Sequence, residues 1–249
     1  TEGLVGSEMC IRDSSSTMQI TSAMKMVSAA KLKKAQDAIT AMRPYANNLT
    51  KLIQNLSRNS EGDTQNPYTQ VRTKQKTLIV SLTSNRGLCG AFNSNIIKKT
   101  RQLIDHDFSE QDVSLITIGK KGSEVLEKTG KIIGVHDAVF DDLNYDNVGQ
   151  IAQNIMNKFA AQSFDEVVLV YNQFKNAATQ IVEVEPFLPI VAELNDSVSA
   201  STDYIFEPSK PEIINDLLPK SIKMQLYKAA RDSFASEHGA RMTAMHKAT

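Results

Sequence analysis

Residues 15–59 contain no glycine and one proline, and their apolar side chains repeat at helical spacing. Ile20, Met24, Val27, Leu32, Ala35, Ile39 and Met42 recur at three- to five-residue steps, one face of a helix. Ala, Lys, Met, Gln and Leu, all good helix formers, supply most of the rest. At about 1.5 Å rise per residue an unbroken helix here is about 65 Å long, more than one small domain can cover. Pro44 is expected to kink or break it, because proline removes a backbone donor and crowds the preceding turn. The seam is narrow. Ala23, Met24, Ser28, Ala29, Ala30, Ala35 and Ala38 stand where a coiled coil usually carries leucine. Small side chains make a thin helix that a partner can approach closely.

A second helix is expected from residue 212 to the end, with Pro219 in its first turns, where proline is tolerated. No stop signal follows Met242 and Met245. The chain has no net charge, yet residues 18–58 are net +6 and residues 219–249 net +4, so the remainder is net −10. Basic ends around an acidic middle suit helices that share an acidic partner, or two solvated basic faces.

Between these ends the texture changes. Residues 60–76 read as a polar linker, and residues 77–83 (TLIVSLT), 113–118 and 166–171 (EVVLVY) as buried strands. Residues 131–135 suggest a short strand, and the alternation over 179–184 suggests an edge strand. Helices are expected over 91–107, 121–128 (capped by Gly130) and 147–162. Alternating β and α segments imply an α/β fold with a mostly parallel sheet. The expected organisation is residues 15–59 and 209–249 as terminal helices around an α/β domain over 60–208. No run of about 18 apolar residues exists to cross a bilayer, and no secretory signal is visible. Two cysteines make no disulfide framework, which fits a reducing compartment.

The residues give little chemistry. The turn over 84–90 follows a strand and opens a helix, where α/β folds hold phosphates. Gly87 and Gly90 complete neither the dinucleotide fingerprint nor the Walker loop, so a tight structural turn is the better reading. The turn over 118–122 is a weaker candidate still. Cys89, just ahead of a helix, reads as a structural thiol because no His or Asp stands near it in sequence. His106, His136, His238 and His246 are scattered, the last two being eight residues apart on one helix, beyond zinc-ligand spacing. Asp141 and Asp142 lie in a polar loop. Neither a metal nor a cofactor is expected. The residues alone give an α/β domain carrying two thin basic helices, with an interaction or mechanical role favoured over an enzyme.

Three motifs carry a resemblance. Residues 16–32 (STMQITSAMKMVSAAKL) resemble the opening helix of ATP synthase gamma subunits, residues 85–93 (NRGLCGAFN) their central signature, and residues 236–249 (SEHGARMTAMHKAT) the start of their closing one. Residues 204–208 (YIFEP) fit as well. The resemblance implies that the terminal helices pair as an antiparallel coiled coil inside the ring of alpha and beta subunits. The α/β domain then stands at the foot, against the epsilon subunit and the membrane c-ring. Rotation driven by protons or sodium ions would drive the catalytic beta sites, so the chain itself is a non-catalytic shaft, peripheral on the cytoplasmic face of a bacterial inner membrane. It offers Met24, Lys25, Lys31, Lys33, Lys34, Arg86, Cys89, Glu237, Arg241 and Met245 as subunit-interface candidates. The alternative is a nucleotide-binding α/β enzyme that uses the 84–90 turn. Two departures from the family are expected. Residues 1–14 (TEGLVGSEMCIRDS) look unrelated, and family chains continue beyond residue 249, which would leave Ala23, Met24 and Val27 without a mate.

Overall fold

The computed structural model describes residues 2–58, 66–190 and 210–249. Residues 59–65, most of the expected linker's first half, and the 204–208 motif lie outside the described residues. Helix α1 (Glu2–Arg58) and helix α5 (Lys210–Ala248) enclose an α/β domain of β1 (Lys76–Leu82), α2 (Phe92–Gln102), β2 (Asp112–Ile118), α3 (Lys120–Leu126), β3 (Ile132–Val135), α4 (Tyr145–Ala160), β4 (Glu166–Phe174) and β5 (Gln180–Leu188).

The sheet order is β3-β2-β1-β4-β5. β1 pairs in parallel with both β2 and β4, β2 in parallel with β3, and β5 antiparallel to β4. β1 is the centre, and its six last residues are buried, as expected of a strand covered on both faces. Its pleat sends Leu78, Val80 and Leu82 to one core and Ile79 to the other. The first core is roofed by α4 and the middle of α5, through Ile155, Phe159, Ile222 and Leu226. The second lies under α2 and α3, with Ile96 and Leu126. Each such fully buried aliphatic side chain contributes roughly 1.5–3 kcal/mol. Because Ile222 and Leu226 belong to this core, α5 is built into the α/β domain before it leaves to meet α1.

Both flanking strands behave as their patterns require. β3 alternates between half-buried and exposed residues at one edge, and β5 forms the other edge. The helix expected over 91–107 is α2 followed by one wide π turn (Leu103–Asp107). Gly130 takes the left-handed conformation after a short 3-10 turn. Asn144 caps α4 by accepting from the Asn147 backbone N–H at 2.8 Å.

The expected break at Pro44 does not occur: α1 is continuous through it. Pro44 and Thr40, whose carbonyl loses its partner, are both exposed, so the orphaned carbonyl is on the solvent side of the helix, where its cost is low. Pro219 likewise sits inside α5 rather than at its start. The helix also runs through residues 2–14 despite Gly3 and Gly6, since adding residues to a formed helix is far easier than nucleating one.

α1 and α5 pair antiparallel. Thr21 Oγ1 meets Thr249 Oγ1 at 2.8 Å and Lys25 Nζ meets His246 Nδ1 at 3.1 Å at one end. Leu49 packs with Leu218 and Ile214 at the other. Beyond Thr21, the covered positions on α1 are Ser28, Leu32, Ala35, Ile39, Ala46 and Leu49, with Met42 half-buried, a regular alternation of four- and three-residue steps. That is a heptad seam, narrower than the face expected from sequence, and it leaves Ile20 and Val27 exposed. Ala23 is also exposed, whereas Met24 is half-buried.

Asp232 lies in α5 with 3% of its surface exposed, and its Oδ1 has no hydrogen-bond partner. Burial pushes its carboxyl up to about 6; Lys228 and Arg43 pull it down, and Glu185 pushes it further up. The folded protein therefore binds this proton more tightly than the unfolded chain, whose aspartate titrates near 3.9. The penalty is fully present above pH 6 and relieved as pH falls through 6 towards 4. Asp232→Asn is expected to raise stability at pH 7 by roughly 1–3 kcal/mol. Urea unfolding across this range should show the gap between variant and parent closing by about pH 4.

Candidate functional site

The strand order reverses at β1: β2 and β3 extend to one side, β4 and β5 to the other. In open α/β sheets the crevice at such a reversal, beyond the carboxyl ends of the strands, is where ligands bind. Here α5 occupies it. Ser236 Oγ donates to the Asn172 carbonyl on β4 at 3.0 Å, and Asn172 Nδ2 donates to the Phe92 carbonyl at the head of α2 at 3.2 Å. Ala240 packs with Cys89 and Phe92 in a small separate core.

Arg241 closes the arrangement. Its Nη2 donates to the carbonyl oxygens of Arg86 (3.1 Å) and Gly87 (3.2 Å), its Nε donates to Gly87 (3.4 Å), and its Nη1 donates to Glu237 Oε1 at 2.6 Å. Both side chains of the Arg241–Glu237 pair are over nine-tenths buried. Burial pushes the Glu237 carboxyl up, while Arg241 foremost, then Lys31 and Arg86, pull it back. His238 Nδ1 lies 3.3 Å from Arg241 Nη1. Guanidinium nitrogens only donate, so Nδ1 accepts and the imidazole hydrogen sits on Nε2. Burial, then the charges of Arg241 and Lys31, push His238 down to about 4, which leaves it neutral at pH 7.

The 84–90 turn is thus held by its carbonyls, the reverse of a phosphate loop, which offers N–H groups to an anion. Its first residue, Ser84, is committed internally. The Ser84 N–H donates to Asn93 Oδ1 at 2.9 Å, Ser84 Oγ donates to the Arg86 carbonyl at 2.6 Å, and Leu88 and Gly90 both turn through positive φ. The 118–122 turn is equally spent: the N–H groups of Lys120, Lys121 and Gly122 donate to Asn85 Oδ1, the Ser84 carbonyl and Thr83 Oγ1. Cys89 is buried and its thiol is pushed up by burial, which disfavours the thiolate a nucleophile needs. Among the described residues no group of three or more His, Cys, Asp or Glu side chains is placed to hold a metal. No described helix is long and apolar enough to cross a membrane.

The two signature segments, far apart in sequence, are therefore two halves of one joint between the α/β domain and the terminal helices. A family model described as ATP synthase matches residues 8–249. The ATP synthase gamma chain of Flavobacterium johnsoniae is 63% identical over 236 residues, covering 94% of this chain and 82% of that one. The chain belongs to the ATP synthase gamma-chain family. The gamma chain of Geobacter sp. strain M21 is 42% identical over 236 residues. The central stalk of the Tetrahymena thermophila mitochondrial ATP synthase, determined with its c-ring, superposes with a TM-score of 0.70 at 27% identity, over 92% of this chain and 99% of that one. The family match begins at Glu8, inside the segment expected to be unrelated. Gamma chains are non-catalytic subunits of the synthase, and a crevice filled by the chain's own helix accords with that role.

Of the candidate interface residues the resemblance singled out, Cys89, Glu237, Arg241 and Met245 lie buried within this chain. Lys31, Lys33, Lys34 and Arg86 are exposed, and Met24 and Lys25 are half-buried. Sequence reasoning passed over Ser236, Asn172 and Asn93, which complete the joint. Ser236 and Asn93 stood inside the quoted motifs, whereas nothing in the β4 sequence marked Asn172.

Proposed function

We propose that this chain is the central shaft of the rotary ATP synthase, with the paired helices α1 and α5 reaching into a ring of alpha and beta subunits. The α/β domain stands at the foot, where the epsilon subunit and the membrane c-ring would hold it. The observation that carries the reading is the Arg241 joint. A shaft transmits torque only if its foot and its stem turn together, and α5 is continuous from the sheet core to the coiled coil. Arg241 then ties the turn after β1 to the stem at a second point.

In this reading residues 15–59 and 209–249 are assigned to the stem, residues 60–208 to the foot, and residues 1–14 to neither. The outward basic residues Lys33, Lys34 and Arg86, with the half-buried Met24 and Lys25, form the face offered to the ring, and an acidic surface would meet them. Lys31 and the exposed Leu88 extend that face. Catalysis belongs to the beta subunits, and ion flow through the membrane sector turns the shaft. The chain is peripheral, on the cytoplasmic face of a bacterial inner membrane.

Co-expression with tagged alpha and beta subunits tests this. The chain is expected to purify with both at one copy per ring and to raise the complex's ATP hydrolysis, while binding no ATP alone. Failure to assemble, together with micromolar ATP binding lost in Arg86→Ala, would replace the shaft reading with an enzyme.

A further inference from the structure

Between α1 and the α/β domain lies a cleft of about 440 Å³, walled by α1, the turn after β1, the 3-10 turn at Phe140 and α5. Its size suits a small ligand of drug-like dimensions. Met24, Val27, Leu88, Phe140 and Phe234 give it an apolar lining. Small residues, Ala23 and Ser28, open the space on the α1 side. The cleft is not electrically neutral in effect. Glu237 is engaged by Arg241, while neither the Lys31 ammonium nor the Arg86 guanidinium has a hydrogen-bond or ion-pair partner among the described residues. Asp141 is the one other acid in the lining.

His238 adds an independent sign. Its side chain lines the cleft, the residue is 4% exposed, and Nε2 is buried without a partner. Nδ1 accepts from Arg241, so Nε2 carries an unmet N–H donor, and leaving such a group unpaired costs about 1–3 kcal/mol. An acceptor that reached Nε2 from the cleft would relieve that cost.

We propose that this cleft binds a small amphipathic carboxylate, its hydrocarbon body against Met24, Val27 and Phe234 and its carboxylate towards Lys31, Arg86 and His238. The observations favour an anion over a cation, because the unpaired charges are positive and the unpaired polar atom is a donor. They favour a small molecule over a peptide, because four chain segments confine the space to a compact cleft of about 440 Å³. Such a ligand would wedge the stem against the foot beside the Arg241 joint.

The probes are octanoate and octylammonium, titrated into the full chain with methionine methyl groups labelled for NMR. Octanoate is expected to shift the Met24 methyl signal saturably. Binding should weaken by about tenfold or more, roughly 1.4 kcal/mol, in the double variant Lys31→Glu, Arg86→Glu. Both side chains are exposed, so the variant is expected to fold. Octylammonium should produce no saturable shift. The proposal is overturned if octanoate fails to saturate, if both amphiphiles bind alike, or if the double variant keeps full affinity. Saturable binding of an acidic peptide with octanoate inert would assign the cleft to a protein partner and overturn it equally.

Discussion

Arg241→Met is expected to destabilise the chain by about 3–5 kcal/mol, with the loss concentrated where α5 meets the turn after β1. The substitution keeps an unbranched apolar stem and removes the guanidinium with its charge and donors. Glu237 is then left buried without its cation, and the carbonyls of Arg86 and Gly87 lose their donor. Much of the effect comes from stranding the carboxylate, so Glu237→Gln combined with Arg241→Met should recover a large part of it. Equilibrium urea unfolding of the four proteins in this cycle gives the coupling directly. A single variant within about 1 kcal/mol of the parent would show that the pair is dispensable. In the assembled complex the same single variant should hydrolyse ATP with less transport of ions per turnover, because the foot can yield against the stem.

Gly119→Ala should be more damaging still, and it tests the turn at the end of β2. Gly119 turns through φ of 105°, and a Cβ there would stand 2.0 Å from the Thr83 carbonyl oxygen. That oxygen is backbone at the end of the central strand and cannot step aside. The same turn supplies the N–H groups that close on Ser84 and Thr83, so displacing it opens the crevice that α5 fills. A loss of at least about 4 kcal/mol, or failure to fold, is expected. Gly87→Ala is the control: nothing lies within 4 Å of its Cβ position and its φ is ordinary. Thermal melts of the two variants should separate widely, and a Gly119→Ala protein that melts with the parent would refute the steric argument.

The fold was legible in the sequence wherever one physical signal dominated. Short β-branched runs such as 77–83 and 166–171 read as buried strands and are so, and the alternation of 179–184 marked an edge. The break expected at Pro44 did not follow, because its cost depends on whether the orphaned carbonyl faces solvent, which is a tertiary matter. The seam of α1 was legible in its Ala-rich texture but not in its width: Ile20 and Val27 fit a 3.6-residue face, whereas the partner covers only the 3.5-residue stripe through Ser28, Leu32, Ala35 and Ile39. The joint was the least legible part. Arg241 and Gly87 stand far apart in the chain, and a guanidinium meeting two carbonyls leaves no composition or spacing signal. The motifs pointed to both halves, but only the fold shows that they touch, and that a turn placed like a phosphate loop instead faces a cation.

Rotation is the central claim. The measurement that tests it most directly follows a bead fixed through an engineered cysteine at Ser109, on the exposed far side of the α/β domain, with the alpha and beta ring held to a surface. With ATP supplied to the ring, the bead is expected to turn steadily in one direction, and to slip or stall in the Arg241→Met variant. A bead that stays still, or only jitters, while the ring hydrolyses ATP at its full rate would contradict the account.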